Sequence, residues 1–188
     1  MNIKKLILSS SILVSTLFAG NYNVDASHTS VGFKVKHLMI SNVAGTFDKF
    51  SGTFSYDEKA NTLTALTGTI EVASINTANA KRDNHLKAAD LFDAAKFPTI
   101  TFKVTKIDDE DVYGDFTLKG VTKNIKLELD NGGTIKDPWG NTRAAFALSG
   151  KINRADFGLT YNKALEAGGV MIGETVKLNI EVEGIQAK

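Results

Sequence analysis

Apolar and charged side chains alternate with a period of two along most extended segments of this chain, and this alternation constrains the fold most. Between Val176 and Glu183, valine, leucine and isoleucine occupy the even positions, and polar residues occupy the odd ones. Successive side chains of a β-strand point to opposite faces, so each segment predicts a strand with one wet and one apolar face. Residues 31–36 and 125–130 repeat the pattern. The fold must therefore enclose an apolar space.

The first residues have the composition of an export signal. Lys4 and Lys5 precede an apolar run over residues 6–18, and the small residues Ala19 and Gly20 follow. The run is shorter than the roughly 20 residues that span a bilayer, which favours a cleaved signal peptide over a retained membrane anchor. We expect residues 1–19 to be removed and residues 20–188 to form one domain without a transmembrane segment.

The charge balance argues against nucleic acid as a partner. The chain has 22 Lys plus Arg and 21 Asp plus Glu, and loss of Lys4 and Lys5 leaves a net charge near −1. A nucleic-acid surface requires a basic patch, which this composition does not favour. The chain has no cysteine, so its stability outside the cytoplasm must come from the core rather than from disulfides.

The alternating segments predict about eight strands in antiparallel order. Short turns, such as those at residues 108–111 and 119–120, join neighbouring strands as hairpins. A short lead-in strand is expected at 22–25, and the eight longer ones are 29–37, 43–56, 63–75, 99–107, 112–118, 121–129, 142–154 and a final strand near the C-terminus. Alanine and leucine among charges between residues 76 and 97 predict one or two short helices, which Pro98 ends. Glycine-rich loops are expected at residues 131–140 and 164–173.

This pattern predicts an all-β protein built as a closed barrel or a two-sheet sandwich. Closure favours the barrel because it removes the exposed edges of long strands. An outer-membrane barrel would place apolar residues outward, whereas here Lys, Asp and Glu take the outward positions. An eight-stranded barrel has an interior that side chains just fill or that holds one small ligand, and the alternation fits both.

Two polar residues continue the inward-facing rows to an end of the barrel. The row of Val31, Phe33 and Val35 reaches His37, and the row of Phe146, Leu148 and Ile152 reaches Arg154. A buried Arg154 requires a carboxylate partner, for which Asp156 is nearest, or a ligand headgroup such as phosphate.

Motifs of catalysis or metal binding do not stand out. The chain has no cysteine nucleophile, no Gly-x-Ser-x-Gly elbow, no His-Glu-x-x-His pair and no phosphate-binding loop. The three histidines, His28, His37 and His85, lie in separate segments without the spacing of zinc ligands. We therefore expect neither an enzyme nor a metal or other cofactor.

Several motifs together resemble the YceI family of polyisoprenoid-binding, lipocalin-like proteins of the bacterial periplasm. They cover the mature chain in order: Asp25, Ser27, His28, Val31, Phe33, Val35 and His37; Ser74 to Thr77 with Arg82, Asp83, His85, Leu86, Phe92, Asp93, Phe97, Pro98 and Phe102; Gly120 to Lys123; and Arg154, Asp156, Phe157 and Gly158. The resemblance implies an eight-stranded antiparallel, lipocalin-like barrel with an apolar tunnel for an isoprenoid or comparable lipid. It also implies a possible homodimer.

The resemblance further implies a periplasmic carrier of long-chain lipid. The expected tunnel wall consists of Phe33, Val35, Phe102, Val104, Phe116, Leu118, Phe146, Leu148 and Phe157. His37, Arg82, His85 and Arg154 are candidates for contact with a headgroup, although Asp83 could instead cap a helix while Arg82 and His85 bond to backbone or carboxylates. Leu91 stands where the family often has phenylalanine. The alternative is a filled barrel that serves as a structural or protein-interaction module.

Overall fold

The computed structural model describes residues 19–166 and 168–188, so residues 1–18 of the predicted signal peptide lie outside the described residues. The strands in this part of the chain are β1 (Ala19–Val24), β2 (Ser30–His37), β3 (Ser41–Phe47), β4 (Phe50–Asp57), β5 (Thr62–Glu71), β6 (Ile75–Asn76), β7 (Thr99–Asp108), β8 (Asp111–Leu118), β9 (Val121–Lys136), β10 (Thr142–Asn153) and β11 (Ile172–Gln186). Helix α1 spans Ala80–Leu86, and 3₁₀ turns cover Val72–Ser74 and Arg154–Phe157. None of these helices is long and apolar enough to cross a membrane.

The strands form one antiparallel sheet that closes on itself. Strand β11 pairs with β10 on one side and with both β1 and β2 on the other. Strands β1 and β2 lie end to end beside β11, and β4 and β3 lie end to end beside β1 and β2. Each of these two pairs occupies one position in the barrel wall. The prediction of a closed eight-stranded antiparallel barrel is therefore confirmed.

The register sorts the alternating side chains as the sequence predicts. On β10 and β11, Phe146 pairs with Val182 and Leu148 pairs with Ile180. These four side chains belong to or pack against one apolar core. Because a one-residue slip would turn every apolar side chain outward, the alternation itself specifies this register.

The two ends of the barrel differ in how they are packed. The mouth is the end that carries the β2–β3 turn, α1 and residues 154–166 and 168–171, and the base is the end with the turns before β5, β8 and β10. At the base the rings of Tyr22 and Phe54 stack at 5.1 Å between centroids, and Phe146 meets Phe54 edge-on at 5.0 Å. The Tyr22 hydroxyl donates to Glu58 over 3.0 Å. Buried aromatic rings thus close the base.

Three element boundaries differ from the prediction. The strand expected over residues 43–56 divides into β3 and β4 at Asp48 and Lys49, because β3 pairs with β2 while β4 pairs with β1. The strand expected over residues 63–75 ends at Glu71 and resumes as the short β6 after a 3₁₀ turn. Residues 131–133, expected in a loop, belong to β9 and pair with β10 across a bulge. Gly132 approaches the neighbouring backbone so closely that an added Cβ would lie 3.0 Å from the Ala145 carbonyl oxygen.

The helical excursion folds over the mouth as a single short α-helix. The Asn79 side chain accepts a hydrogen bond of 3.0 Å from the Arg82 backbone N–H and so caps the first turn of α1. On the inner side of this segment, Leu86 and Phe92 pack against the apolar cluster at this end of the barrel. The excursion therefore covers the mouth rather than extending into solvent.

Candidate ligand-binding tunnel

An apolar cavity of about 120 Å³ occupies the middle of the barrel. Leu66, Leu127, Leu148 and Val182 form its wall toward the base, and Phe102 lines it from β7. Apolar cavities of this size stay dry and accept apolar guests. The barrel interior is therefore not filled by side chains at this level, and we call this space the inner cavity.

Three phenylalanine rings form a neck at the outer end of the inner cavity. Phe33, Phe47 and Phe116 line both this cavity and a second one of about 110 Å³ that lies closer to the mouth. The ring centroids of Phe33 and Phe47 are 5.7 Å apart. Rotation of these rings would join the two cavities, because the same side chains bound both.

The second, or middle, cavity is covered by the helical excursion. Leu118 and Ile152 line it from the barrel wall, and Leu86, Leu91 and Phe92 line it from α1 and the segment that follows. Because these residues also form part of the apolar core at this end, movement of the excursion would change the size of the cavity.

A third cavity, of about 200 Å³, opens this series at the mouth and carries polar side chains. Lys36, His37, Arg82, His85 and Tyr161 line it. It shares a further set of lining residues with the middle cavity, namely Phe33, Val35, Leu86, Leu91 and Ile172. The three cavities thus lie in series and are separated by the side chains they share; we call this series, with its apolar interior and polar opening, the tunnel.

The tunnel interior provides no free hydrogen-bonding group. Among the described residues, every buried side-chain nitrogen or oxygen has a hydrogen-bond partner. Such a wall cannot discriminate ligands by hydrogen bonding, so it would select them by length and bulk.

The predicted wall residues divide into two groups. Those that line the tunnel are Phe33, Val35, Phe102, Phe116, Leu118 and Leu148. Val104 and Phe146 instead pack in the core toward the base, and Phe157 lies behind Phe116, with the two rings edge-on at 5.4 Å. All nine positions carry apolar side chains, but these three support the wall rather than face the cavities.

Several lining residues were not among the predicted wall positions. Leu178 lines both the inner and middle cavities, and its place in the alternation of β11 was a signal for it. Phe47 completes the neck from β3, where the small residues Ala44 and Gly45 before it leave no clear alternation. Leu91 and Phe92 lie in the excursion, whose packing over the mouth has no periodic signal in the sequence.

Arg82 is positioned by Thr77 at the edge of the mouth. Its Nε donates to the Thr77 hydroxyl over 2.7 Å and its Nη2 to the Thr77 carbonyl over 2.8 Å. Asp83 accepts hydrogen bonds from the Thr77 backbone N–H and hydroxyl, so it does not cap α1, whose cap is Asn79. The guanidinium is thus held rigidly against the mouth cavity.

The two mouth histidines lie in different surroundings. His85 forms a 3.0 Å contact between its Nε2 and Asp90, and its ring meets Tyr161 edge-on at 5.0 Å. The hydrogen bond with His85 lowers the pKa of Asp90. His37 ends β2 opposite Ile172 and is half-buried. Both rings can therefore contact a headgroup in the mouth cavity.

Arg154 is buried and forms no ion pair with a carboxylate of the described residues, so the pairing with Asp156 that was one of its two predicted alternatives is wrong. Its guanidinium donates to the backbone carbonyls of Gly173 (3.0 Å), Ile172 (3.5 Å) and Leu159. Burial lowers the pKa of Arg154. The residue ties Leu159 to the start of β11, and it borders the middle cavity.

The remaining histidine belongs to an ion-pair cluster on the barrel wall. His28 contacts Asp25 through Nδ1 at 2.8 Å, and Glu183 lies nearby. In the described part of the chain, these three residues are the group whose ligand atoms could meet at a metal ion. Arg143 already donates to both carboxylates, at 2.9 and 2.6 Å, and its positive charge opposes cation binding there.

The chain is similar in sequence to members of a described protein family. A model of the YceI-like domain matches residues 22–184. A UPF0312 protein of Staphylococcus aureus (strain N315) is 39% identical over 164 residues, which cover 87% of this chain and 96% of the relative.

Solved structures resemble the whole barrel. The YceI protein of Campylobacter jejuni is 40% identical with a TM-score of 0.70, and the match covers 87% of this chain and 96% of that one. A polyisoprenoid-binding domain from Saccharophagus degradans, implicated in plant cell wall breakdown, is 20% identical with a TM-score of 0.67, over 88% and 98% of the two chains. The second likeness shows a shared fold.

Proposed function

The chain belongs to the YceI family, and on this premise we propose that it binds and carries a long-chain isoprenoid or comparable lipid in the barrel tunnel. The observation that carries the proposal is the series of three cavities from Leu66 to the mouth, whose inner two are lined almost entirely by apolar residues. The polyisoprenoid-binding domain of the same fold supports the choice of ligand class.

The energetics of apolar burial favour a long ligand. Each methylene removed from water contributes about 0.8 kcal/mol. Association costs on the order of 4 to 15 kcal/mol. A chain of roughly twenty carbons therefore exceeds the cost, whereas a short one does not. Because the wall offers no free donor or acceptor, we expect several lipids of similar length to compete for the tunnel.

The polar mouth suits a lipid with an anionic or hydroxyl headgroup. His37, Arg82 and His85 line the mouth cavity, and Lys36 adds a second cation. The headgroup would remain at this opening because the apolar interior cannot replace its hydration. The proposed ligand thus enters tail first.

We further propose that the chain is exported and works in the periplasm, where it transfers lipid rather than converts it. The charged outer face of the strands and the signal-like residues 1–19 support this location. Membership of the YceI family supports binding without catalysis. The described residues that line the inner cavity also include no pair of a nucleophile and a base. A homodimer stays a prediction from the family resemblance.

Extraction and mass spectrometry test the proposal directly. Protein purified from its host would yield a stoichiometric long-chain lipid, and delipidated protein would take up an added polyprenyl phosphate. Recovery of no lipid together with no uptake would contradict a carrier and favour the filled-barrel alternative. The cavities around Phe102 and Leu91 weigh against that alternative.

A further inference from the structure

Three consecutive apolar side chains are exposed at the tip of the β2–β3 turn, directly beside the tunnel mouth. Leu38, Met39 and Ile40 are 38%, 50% and 82% exposed. The backbone N–H of Leu38 donates to the carbonyl of Met171, which lines the mouth cavity, over 2.8 Å. An exposed apolar cluster of this kind marks an interaction site. We call residues 38–40 the tip.

The backbone of the tip is also an unfavourable choice for these residues. Ile40 N–H bonds to the His37 carbonyl at 3.2 Å, and φ is +48° at Leu38 and +63° at Met39. This is the two-residue turn in which Asn-Gly is preferred, because both central residues take positive φ. Bulky side chains are strained there. Fold stability therefore does not explain why Leu38 and Met39 occupy these positions.

A row of lysines crosses the outer wall below the tip. Lys177 on β11 lies directly opposite Lys34 on β2 on one side and Lys151 on β10 on the other. Like charges directly opposite one another destabilise a sheet. None of these three lysines forms an ion pair with a carboxylate of the described residues. We call Lys34, Lys151 and Lys177 the lysine row.

The tip and the lysine row lie on adjoining parts of the surface. Lys34 is exposed on the outer face of β2, which ends at the tip. At a rise of about 3.3 Å per residue, Lys34 lies roughly 13 Å along the strand from Leu38. Proteins bind the surface of an anionic bilayer through apolar side chains that enter the headgroup region and nearby cations that attract the lipid phosphates. The tip and the lysine row provide these two groups.

We propose that the tip and the lysine row together dock the barrel mouth on an anionic lipid bilayer. The tip enters the headgroup region, and the lysines contact lipid phosphates. This inference rests on the proposed function, since it names the surface from which the lipid enters or leaves the tunnel. Two copies of the chain facing each other through this surface would bring their lysine rows together, so the charge pattern favours a bilayer over a second copy.

The test is cosedimentation of the protein with vesicles of phosphatidylcholine, with and without phosphatidylglycerol. We expect binding to the anionic vesicles, weakened by salt. Changing the row to glutamine (K34Q, K151Q, K177Q) should lower binding about fivefold for each lysine. The tip variant L38N/M39G should raise the melting temperature, because the new residues suit the turn, while lowering vesicle binding at least tenfold.

Matched variants at other places control for charge and hydrophobicity. K103Q/K106Q/K136Q removes three lysines elsewhere on the barrel, and W139S removes an 80% exposed apolar side chain at the base. Both should bind anionic vesicles as the unchanged protein does. Equal losses in these controls, or unchanged binding in the row and tip variants, would overturn the proposal.

Uptake of polyprenyl phosphate from detergent solution separates this inference from the proposed function. Row and tip variants that load normally but do not bind vesicles support docking. Vesicle binding that depends on the row and tip supports docking even if no lipid is taken up, which would instead contradict the carrier. Absence of vesicle binding by the unchanged protein, with a dimer on sizing that L38N/M39G abolishes, would overturn docking in favour of a second copy.

Discussion

Arg143 on β10 donates a hydrogen bond of 2.9 Å to Asp25, which lies 118 residues earlier in the chain and directly after β1. The same guanidinium nitrogen bonds to Glu183 on β11, and Nε bonds to Asp137 at 2.8 Å. Strands β10, β11 and β1 are neighbours in the closed sheet. This half-buried cluster therefore ties together the chain segments that close the barrel.

The cluster predicts a loss of stability in acid. Hydrogen bonds from Ser27, His28 and Arg143 lower the pKa of Asp25. Although burial opposes it, hydrogen bonds from Asn141 and Arg143 lower the pKa of Asp137 to about 2. Carboxylates with lowered pKa values stabilise the fold fully above their unfolded pKa of about 4 and lose that effect as the pH falls further. The melting temperature should therefore be constant near neutral pH and should fall below about pH 5, as thermal unfolding would measure.

Arg143→Met tests the origin of this decline. We expect the melting temperature near neutral pH to fall by roughly 5–10 °C, because the buried carboxylates lose their partner. The melting temperature of this variant should also fall less steeply as the pH is lowered. Lys106→Met, which breaks the exposed pair with Asp108, is the charge-matched control and should change little. An unchanged acid profile in the Arg143 variant would exclude the cluster as its cause.

Phe102→Trp distinguishes a hollow tunnel from a filled core. Phe102 lines the inner cavity, so a larger ring there should occupy empty space with little change in the free energy of unfolding. The variant should take up less lipid. In a filled interior, overpacking would instead cost about 1–3 kcal/mol. Chemical unfolding and lipid uptake measure the two effects.

Phe146→Trp is the matched control for this substitution. Phe146 is buried in the base against Phe54 and lines none of the three tunnel cavities. We expect this variant to lose about 1–3 kcal/mol in the free energy of unfolding. The molecules that fold should take up as much lipid as the unchanged protein. Equal destabilisation by both tryptophans would argue against a hollow tunnel.

Leu91→Phe should alter the selection of ligand length. Leu91 is buried and lines both the middle and the mouth cavities, so a phenylalanine there would narrow the passage between them. After incubation with a mixture of polyprenyl phosphates, the variant should retain shorter chains than the unchanged protein, as measured by mass spectrometry. Val121→Phe, at an exposed position, is the control. An unchanged length distribution would place the constriction elsewhere, with the neck at Phe33 as the next candidate.

The polar mouth residues should separate into binding and structural roles. His85→Gln and Lys36→Gln should reduce the preference for a polyprenyl phosphate over the corresponding alcohol by about tenfold in dissociation constant, because charge-assisted hydrogen bonds contribute at this scale. Arg154→Met should instead lower the free energy of unfolding by about 3 kcal/mol, since its carbonyl partners lose their donor. A stable Arg154 variant with altered headgroup preference would reverse this assignment.

Much of the fold was predictable because alternation is local. The inward positions of Phe33, Phe102 and Leu148 follow from the period of two, which any β-strand obeys. The break between β3 and β4 was not predictable, since it depends on which strand each half meets. The partners of Arg154 were likewise missed, because the carbonyls of Leu159 and Gly173 come together only when the loop folds back.

The sequence by itself determined that the strands of this protein enclose an apolar interior behind a charged exterior, because the alternation of side chains assigns each residue to one face. Closure into a barrel was favoured by the sequence and decided by the pairing of β11 with β1 and β2. Only the tertiary structure decided which inward side chains face empty space and which pack on one another. Val104 and Phe102 lie two residues apart on one face, yet only Phe102 borders the tunnel. The physical reason is that a cavity depends on distances between strands remote in sequence, and no local pattern records those distances.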